Sequence, residues 1–359
     1  MKEKLDYSGK TVLVTGHTGF KGAWLSIWLA KLGAKVIGFS SPSWPNDFVY
    51  KNTNLQTKLH TDEKGDITNY TELKLIFDKH KPEIVFHLAA QPLVKQSYDE
   101  PLETFNTNIM GTANVLECIK NTDSVKAAVI ITTDKCYKNK EQPIPYKEDD
   151  ELGGHDPYSC SKACAELVIN TYRKSFFQHS NQPKLVASAR AGNVLGGGDF
   201  GKDRLIPDCI NALKKGKDIS IRNPSSIRPW QFVLEPIYGY LLLGHNLLNG
   251  KQEFADAWNF GPEESSAVPV QKVVELMINF WGSGNYTDTS DPNEKQHEAK
   301  LLMLDINKSK TLLGWKPQFQ LDKTIQFTVE WYKQMENKNP EELLQLCNNQ
   351  IDSYEKELQ

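Results

Sequence analysis

Residues 11–22, TVLVTGHTGFKG, decide the fold of this chain. A continuous apolar run leads directly into three glycines, Gly16, Gly19 and Gly22, and then into a helix-like segment. Glycines in this place allow a tight turn and let a phosphate group approach backbone N–H groups at the positive end of a helix. The spacing G-x-x-G-x-x-G between a strand and a helix therefore predicts a phosphate-binding turn. An ordinary glycine-rich connection is the alternative.

Strand-like and helix-like segments alternate on either side of this motif. The apolar runs KVIGFS, EIVFHLAA, AAVIITTD and KLVASARAGNV are typical of parallel strands that are covered on both faces. Helical patterns occupy residues 20–32, 70–80, 102–120 and 158–177. This alternation predicts an α/β protein with a Rossmann-type, doubly wound parallel sheet.

The regular alternation of strand-like and helix-like segments ends after residue 193, which suggests a second, smaller domain. We expect residues 1–193 to form the Rossmann domain, with a return to it near residues 230–262, where FADAWNFG (residues 254–261) reads as a further strand. Residues 194–335 are expected to form mainly an α+β substrate-binding domain. Residues 336–359 read as a polar helical tail.

Composition excludes several classes of protein. The chain has 359 residues, with 42 Lys and Arg against 45 Asp and Glu, so no overall field favours nucleic acid or an acidic membrane. Its apolar runs are too short to span a bilayer. The opening segment MKEKLDYSGK has no apolar region either, so a cytoplasmic location is expected. The six cysteines form no CxxC pair, which predicts free thiols and no metal site.

The end of the second strand lacks the residue that would identify a dinucleotide. The segment FSSPSW, residues 39–44, has neither the carboxylate that holds a ribose 2′-hydroxyl nor a base for a 2′-phosphate. NAD and NADP therefore stay open at this point. Asp66, in GDIT after the third apolar run, could accept from an adenine amino group, could cap a helix, or could do both.

Two pairs of residues indicate chemistry at the carboxyl edge of the sheet. Tyr158 and Lys162, in PYSCSKA, share one helix face, so the ammonium could lower the pKa of the phenol and make it a base. Tyr70 and Lys74 have the same spacing but follow the wrong strand, and a surface pair is the alternative for Tyr158 as well.

The second pair is Asp134 with Lys135, in ITTDKCYKNK (residues 131–140), which ends a run that looks fully buried. Neighbouring strand residues point to opposite faces, so both side chains reach one site only if the chain leaves the extended conformation at Asp134. A solvated strand end is the other interpretation.

Together these motifs resemble the extended short-chain dehydrogenase/reductase family. The segments TGHTGFKG, HLAAQP, TTDKCY, YSCSK and RAGNVLGGGDF are similar to its CDP-glucose 4,6-dehydratase branch, and a lysine after Asp134 matches that branch rather than the wider group. The resemblance implies tightly bound NAD. Its contacts would be Gly16, Thr18, Gly19, Phe20, Lys21, Gly22, Asp66, Ile67, Leu88, Ala89, Ala90, Gln91, Thr107, Tyr158 and Lys162.

The resemblance also implies a reaction, the conversion of CDP-glucose to CDP-4-keto-6-deoxyglucose for deoxysugar biosynthesis, which makes the protein a lyase. Tyr158, helped by Lys162 and Thr133, would start the oxidation at C4. Lys135 would remove the C5 proton or stabilise the enolate as a fixed cation, and Asp134 would protonate the departing C6 hydroxyl. Hydride would then return to C6. Asn193, Arg204, Arg222 and Arg228 would hold the nucleotide sugar, although each arginine could also be a solvated surface residue and Asn193 could simply hold a loop.

Other functions remain as alternatives. A same-fold epimerase or reductase needs Tyr158 and Lys162 but not Asp134 and Lys135, and a dehydratase of another nucleotide hexose needs all four. GGGDFGKD (residues 196–203) nearly fits a nucleotide-hydrolysing loop, but Asp203 stands where Ser or Thr would hold magnesium. A silent NAD-binding regulatory protein is a further class. The resemblance implies a homodimer formed through the helices at residues 102–120 and 158–177, with a tetramer as the alternative.

Overall fold

A computed structural model describes residues 5–42, 47–141, 144–178, 183–201, 204–290 and 302–358. The strands in these ranges are β1 (Thr11–Thr15), β2 (Lys35–Ser40), β3 (Thr61–Lys64), β4 (Ile84–His87), β5 (Ala127–Ile131), β6 (Leu185–Ala191), β7 (Val194–Leu195), β8 (Ile219–Ile221), β9 (Ile227–Pro229), β10 (Gln231–Phe232), β11 (Ala257–Phe260), β12 (Ala267–Pro269) and β13 (Tyr286–Asp288). The α-helices are α1 (Phe20–Lys31), α2 (Phe48–Asn52), α3 (Tyr70–His80), α4 (Val94–Asp99), α5 (Pro101–Phe105), α6 (Gly111–Lys120), α7 (Pro157–Tyr172), α8 (Leu205–Lys214), α9 (Leu234–Leu248), α10 (Val270–Trp281), α11 (Asn307–Thr311), α12 (Leu321–Gln334) and α13 (Pro340–Glu357).

A seven-stranded parallel sheet forms the centre, in the order β11-β6-β5-β4-β1-β2-β3. The chain winds outward from β1 through β2 and β3, then returns to the other side of β1 with β4. The strand order therefore reverses between β1 and β4. Ligands of open α/β sheets bind in the crevice outside the carboxyl ends of the strands at such a point.

Two apolar layers cover the sheet, one on each face. Alternate strand residues such as Val12, Val14 and Val129 pack into a core that includes residues of α1, α9, α12 and α13. Their neighbours, such as Leu13 and Ala128, pack against α3, α6 and α7 on the other face. Both faces are buried, which explains why the strands are almost continuously apolar in sequence.

The predicted segments agree closely with the observed ones. Residues 70–80 form α3, while residues 102–120 lie in α5, a π-helical turn (Asn106–Met110) and α6. Residues 158–177 continue from α7 into a second π-helical turn (Arg173–Phe177). The sheet and its layers thus confirm the predicted Rossmann-type fold.

The later part of the chain builds three two-stranded sheets, β7 with β10, β8 with β13 and β9 with β12. Within residues 254–261, the strand β11 joins the main sheet beside β6. The tail forms α13, whose Leu343, Cys347 and Ile351 are buried in the larger core. The division into domains at residues 193 and 335 stays a prediction. No described helix is long and apolar enough to cross a membrane.

Glu235, in the first turn of α9, connects three parts of this larger core. One carboxylate oxygen accepts hydrogen bonds from the backbone N–H groups of Gln318 and Phe319, each at 2.8 Å, and the other accepts from the Tyr354 hydroxyl of α13 at 2.6 Å. The side chain is buried at 1% exposure. Burial raises the pKa of Glu235 to about 7, although all three hydrogen bonds oppose the shift.

We predict that Glu235→Gln stabilises the protein above neutral pH. Because the folded-state pKa is raised, the wild-type carboxyl stabilises the fold fully only below its unfolded pKa, and this contribution is lost as pH rises through about 7. Glutamine keeps the oxygen that accepts from both backbone groups. The gain in unfolding free energy should grow by about 2 kcal/mol from about pH 5 to about pH 8 in urea titrations. Exposed Glu253→Gln is the control, and a gap that is equal at both pH values would contradict the prediction.

Candidate active site

The glycine turn between β1 and α1 lies against the end of β4. A Cβ atom added at Gly16 would stand 2.6 Å from the backbone nitrogen of Ala89, and one at Gly22 would stand 2.0 Å from the carbonyl oxygen of Gly16. Gly16 also has a positive φ of 74°. Only glycine fits these two positions, so the sequence motif corresponds to a real close approach of three backbone segments.

The N-terminus of α1 is prepared for an anion. Its cap is Gly19, which offers no side-chain acceptor, and the first turn contains no acidic residue. The first-turn N–H groups of a 12-residue helix therefore face a ligand site without internal competition. Lys21, in the same turn, is a half-buried cation; desolvation and the charge of Arg204 lower its pKa to about 8, while Asp134 opposes the shift.

The segment after β4 completes this cradle. Leu88 donates its backbone N–H to the carbonyl of Thr15 at 3.0 Å, so the chain continues alongside the glycine turn. Gln91 is fixed by Asn108, whose side-chain oxygen accepts from the Gln91 backbone at 2.8 Å and whose nitrogen donates back at 3.0 Å. Residues 88–91 thus lie beside the glycine turn, and their contact with a cofactor stays a prediction. Ala90 is partly exposed there.

Of the other residues expected at the cofactor, Thr18 and Phe20 are buried in the turn and Ile67 is buried against Gly111. Asp66 accepts from the backbone of Thr68 at 2.8 Å, two residues along. The side chain of Asn69, not Asp66, caps α3, so the helix-cap interpretation of Asp66 is wrong.

The role of Thr107 at the cofactor stays a prediction. Its hydroxyl donates to Glu103 at 3.0 Å on the exposed side of the π-helical turn. The neighbouring Asn108 faces inward instead, to Gln91 and to Ser161 of α7. The π-helical turn rotates the side chains that follow it, which a regular helical pattern could not predict.

The chain leaves the extended conformation at Asp134, as the sequence requires for both charged residues to reach one site. Residues Asp134–Cys136 form a single 3-10 turn, and the Thr133 side chain caps it by accepting from the Lys135 backbone at 3.4 Å. The Thr133 hydroxyl donates to Asp134 at 2.9 Å. Lys135 then stands with its amino group 3.7 Å from the Asp134 carboxylate and its side chain 32% exposed.

Asp134 fills the space above a glycine. It is 1% exposed, and a Cβ added at Gly192 would stand only 2.0 Å from its carboxylate oxygen. Asn193, in the left-handed conformation with φ of 50°, directs its side-chain nitrogen to the same carboxylate at 3.5 Å. The end of β6 therefore fixes the position of the acid.

Tyr158 and Lys162 are positioned by the start of α7. Asp156 caps the helix by accepting from the backbone and hydroxyl of Ser159, and Pro157 occupies the first position. Both Tyr158 and Lys162 are buried.

The pKa of the Tyr158 phenol is raised, not lowered, among the protein's own residues, so help from Lys162 stays a prediction. Burial raises the pKa of Tyr158 to about 12, Asp134 adds to the rise, and a hydrogen bond with Thr133 opposes it. Lys162 has its own pKa lowered to about 8 by burial and by Lys21. Its charge acts instead on His87, whose pKa burial and Lys162 lower to about 3. The helical spacing of Tyr158 and Lys162 could not show that both side chains are buried away from water.

The arginines predicted for a phosphate divide into two groups. Arg204 is paired with Asp199 at 2.9 Å and lies close enough to shift the pKa of both Lys21 and Tyr158. Arg228 is 9% exposed on β9, next to Pro229 of the cavity that contains Asp134. Arg222 is exposed after β8, and among the described residues no contact joins it to Asp134 or Tyr158.

The rival phosphate loop has another structural role where it is described. Its first glycines pack in the core, since a Cβ at Gly197 would stand 2.1 Å from the Trp331 ring and one at Gly198 would stand 2.1 Å from Val49. The carbonyl of Gly197 accepts from the Trp24 indole at 2.9 Å. These glycines serve close packing. Lys202 and Asp203 lie outside the described residues.

A carboxylate does stand near the end of β2, but on the next strand. Asp62 of β3 pairs in register with Gly38, and it accepts from His17 at 2.8 Å and from Tyr50 at 2.5 Å. Burial opposes its ionisation, yet hydrogen bonds from His17, Tyr50 and Lys64 hold the pKa of Asp62 well below its usual range. Asp62 was not predicted from the sequence, because the usual position of such a carboxylate is the end of β2. The parallel register of β3 beside β2 is the signal that could have located it.

Comparison with known proteins agrees with this arrangement. The family model described as GDP-mannose 4,6 dehydratase matches residues 13–328. A CDP-glucose 4,6-dehydratase of Salmonella typhimurium is 46% identical over 341 residues, which are 93% of each chain. A UDP-glucuronate 4-epimerase of Thermodesulfobacterium geofontis is 27% identical over 90% of this chain and 96% of its own. The NAD complex of a dTDP-glucose 4,6-dehydratase from Bacillus anthracis has the same fold, with a TM-score of 0.77 at 22% identity over 91% of this chain and 98% of that chain. The match over residues 13–328 shows that this chain belongs to the GDP-mannose 4,6 dehydratase family.

Proposed function

We propose that this protein is an NAD-dependent lyase that converts CDP-glucose to CDP-4-keto-6-deoxyglucose. The observation that carries the proposal is the 3-10 turn at the end of β5, which brings Asp134 and Lys135 beside Thr133 and the buried Tyr158. An oxidation or an epimerisation at C4 needs Tyr158 and Lys162, whereas an elimination needs a further acid and a base or fixed cation. The 46% identity to a CDP-glucose 4,6-dehydratase supports CDP as the nucleotide.

The residues of the crevice fit NAD. The cradle that Cβ atoms at Gly16 and Gly22 would fill leaves the N–H groups of α1 free for a pyrophosphate, and Lys21 adds positive charge. Asp66 and Ile67 would hold the adenine, and residues 88–91 with Lys162 would hold the nicotinamide half. When bound, NAD supplies a positive charge beside the phenol, accepts hydride from C4 and returns it to C6.

Each proton transfer in the proposed reaction is carried out by a different side chain. Tyr158 takes the C4 hydroxyl proton, helped by Lys162 and by its contact with Thr133. The C4 ketone makes the C5 hydrogen more acidic. Lys135 either removes this hydrogen as a proton or, as a fixed cation, stabilises the enolate that forms. Asp134 gives its proton to the departing C6 hydroxyl. Asn193 orients Asp134, while Arg204 and Arg228 hold the diphosphate.

The proposal also includes a cytoplasmic location and a homodimer. All six cysteines are free thiols, which supports a cytoplasmic protein. Exposed apolar side chains lie on the helices that cover one face of the sheet, among them Leu102 at 81%, Met110 at 53% and Leu167 at 54% exposure. The segments that carry them, α5 to α6 and α7, pack side by side. We propose that they form the interface of a homodimer.

The fate of the substrate hydrogen tests the proposed reaction. Deuterium at C4 of CDP-glucose should reappear at C6 of the 4-keto-6-deoxy product, and one solvent hydrogen should enter at C5, because the cofactor is reduced and reoxidised within one turnover. Mass spectrometry of the product measures both labels. Turnover with no deuterium at C6 would exclude the dehydratase, and a C4 epimer would favour the same-fold epimerase.

We predict that Gly192→Ala lowers kcat at least about 100-fold by displacing Asp134, while the protein stays folded. The new methyl group would occupy the position of the carboxylate, which is buried and cannot move freely. Gly153→Ala is the control, because its methyl group would make only an ordinary contact, 3.4 Å from Lys138. Circular dichroism and thermal midpoints verify folding. Equal activity of the two variants would show that the position of Asp134 does not matter.

The interface is tested by charge. We expect wild-type protein to sediment as a dimer at micromolar concentration and Leu167→Asp to shift it to monomer, because a carboxylate cannot be buried without a partner. Leu312→Asp, at a leucine that is 65% exposed outside these helices, should leave the dimer intact. A monomeric wild-type protein would refute the proposal.

A further inference from the structure

A small cavity lies beside Asp134. Its volume is about 20 Å³, and a space of this size holds about one water molecule. The lining from the described residues is mostly proline, glycine and aliphatic side chain. Its polar members are Asp134, Gln231, Glu263 and Glu264. A group that enters this cavity therefore meets few hydrogen-bond partners, and those it meets are acceptors or an amide.

Gln231 has a fixed amide orientation. The side chain is 2% exposed, and its Nε2 donates to the carbonyl oxygens of Gly192 at 2.9 Å and Phe260 at 3.0 Å. Because carbonyl oxygens only accept, the nitrogen must face both of them and both of its hydrogens are used. The Oε1 atom is then the polar atom that Gln231 can offer to the cavity. None of the described residues donates to it.

Gly192 connects this amide to the acid. Its carbonyl accepts from Gln231, and its Cα lies directly against the Asp134 carboxylate. The backbone of Gln231 is held as well, by a bond to the carbonyl of Asn193 at 3.2 Å within the pairing of β10 and β7. Gln231 and Asp134 are therefore two rigidly placed groups that line one water-sized space. A buried amide oxygen needs a donor, and a water molecule or a ligand hydroxyl that enters this space can supply it.

We propose that this cavity receives the C6 hydroxyl of the hexose, and that Gln231 Oε1 accepts its hydrogen bond and then holds the departing water. The inference rests on the proposed function and adds a further catalytic residue to it. Before elimination, protonated Asp134 donates to the C6 oxygen, while the hydroxyl hydrogen donates to Gln231. Asp134 and Gln231 Oε1 then each have a partner in the hydroxyl group.

The hydrogen-bond donors and acceptors around the C6 oxygen stay matched during the elimination. The electron pair of the C5–H bond forms the C5=C6 double bond, its proton leaves toward Lys135, and the C6–O bond breaks as Asp134 transfers its proton to the oxygen. The water that forms has two O–H donors. It faces two acceptors, the new Asp134 carboxylate and Gln231 Oε1. The site thus binds the leaving group better after cleavage than a site with one acceptor would.

A double-mutant cycle between residue and ligand tests this. Calorimetry would measure binding of CDP-glucose and CDP-6-deoxyglucose to Tyr158→Phe, which prevents turnover, and to Tyr158→Phe with Gln231→Met. Loss of the C6 hydroxyl should weaken binding about tenfold more in the parent than in the double variant. An equal ratio in the two proteins would overturn the proposal. Coupling found with CDP-3-deoxyglucose instead would overturn the assignment to C6.

Gln350 provides a matched control. It is an equally buried glutamine of α13, with Nε2 bonded to the Phe327 carbonyl at 2.8 Å and Oε1 without a described partner. Gln350→Met in the Tyr158→Phe background should keep the ratio of the parent. A changed ratio would mean that loss of any buried amide has this effect, and would count against Gln231.

One measurement needs no change at Gln231. CDP-6-deoxy-6-fluoroglucose accepts only weakly from Asp134 and cannot donate to Gln231, so it should bind Tyr158→Phe about tenfold more weakly than CDP-glucose. Equal binding of the two sugars would overturn the proposal. If the parent binds neither CDP-sugar, the proposed function fails first and this inference falls with it, whereas binding without discrimination at C6 refutes only the inference.

Discussion

The buried ion pair between Glu166 of α7 and Arg190 of β6 is the interaction on which the site depends. The two side chains meet at 2.8 Å and are almost completely buried. Glu166 also accepts from Thr132, two residues before the 3-10 turn begins at Asp134, and from Ser188 at 2.8 Å. Burial opposes ionisation of Glu166, but Arg190 and these hydrogen bonds lower its pKa. Removing one partner of such a pair costs about 3–5 kcal/mol, because the other charge stays buried. Since Glu166 lies one helical turn after Lys162, the pair fixes the catalytic face of α7 against the end of β5.

The same network explains how a strand can end in a charged turn. Arg190 donates to the Tyr137 hydroxyl at 2.7 Å, and Tyr137 donates to Asn259 of β11 at 2.8 Å, so the chain is held on both sides of Asp134–Cys136. Gly192, two residues after Arg190, leaves the space that the Asp134 carboxylate occupies. Rigid neighbours on β6 and β11 therefore hold the turn, and the acid and the cation do not rely on a mobile loop for their geometry.

The sequence predicted those features that depend on local pattern. Apolar runs located the strands because both faces of the sheet are buried, and the glycine spacing located the crevice because a Cβ at Gly16 or Gly22 has no space. The opposite faces of neighbouring strand residues even required the turn at Asp134. Pattern could not predict what distant segments contribute. The dryness that raises the pKa of Tyr158, the carboxylate of Asp62 and the orientation of Gln231 all arise from residues far apart in the chain.

Electrostatics at the crevice connect stability to ligand binding. Burial lowers the pKa of Lys21 and of Lys162 to about 8, and the shift is increased by the charge of Arg204 at Lys21 and by the charge of Lys21 at Lys162. Asp134 opposes the shift at Lys21 and Glu166 opposes it at Lys162, but neither cancels it. The crevice therefore favours anions, because a bound phosphate group would offset both the repulsion between these cations and the cost of their desolvation. The unfavourable charge of the free crevice and its affinity for a dinucleotide therefore have one physical origin.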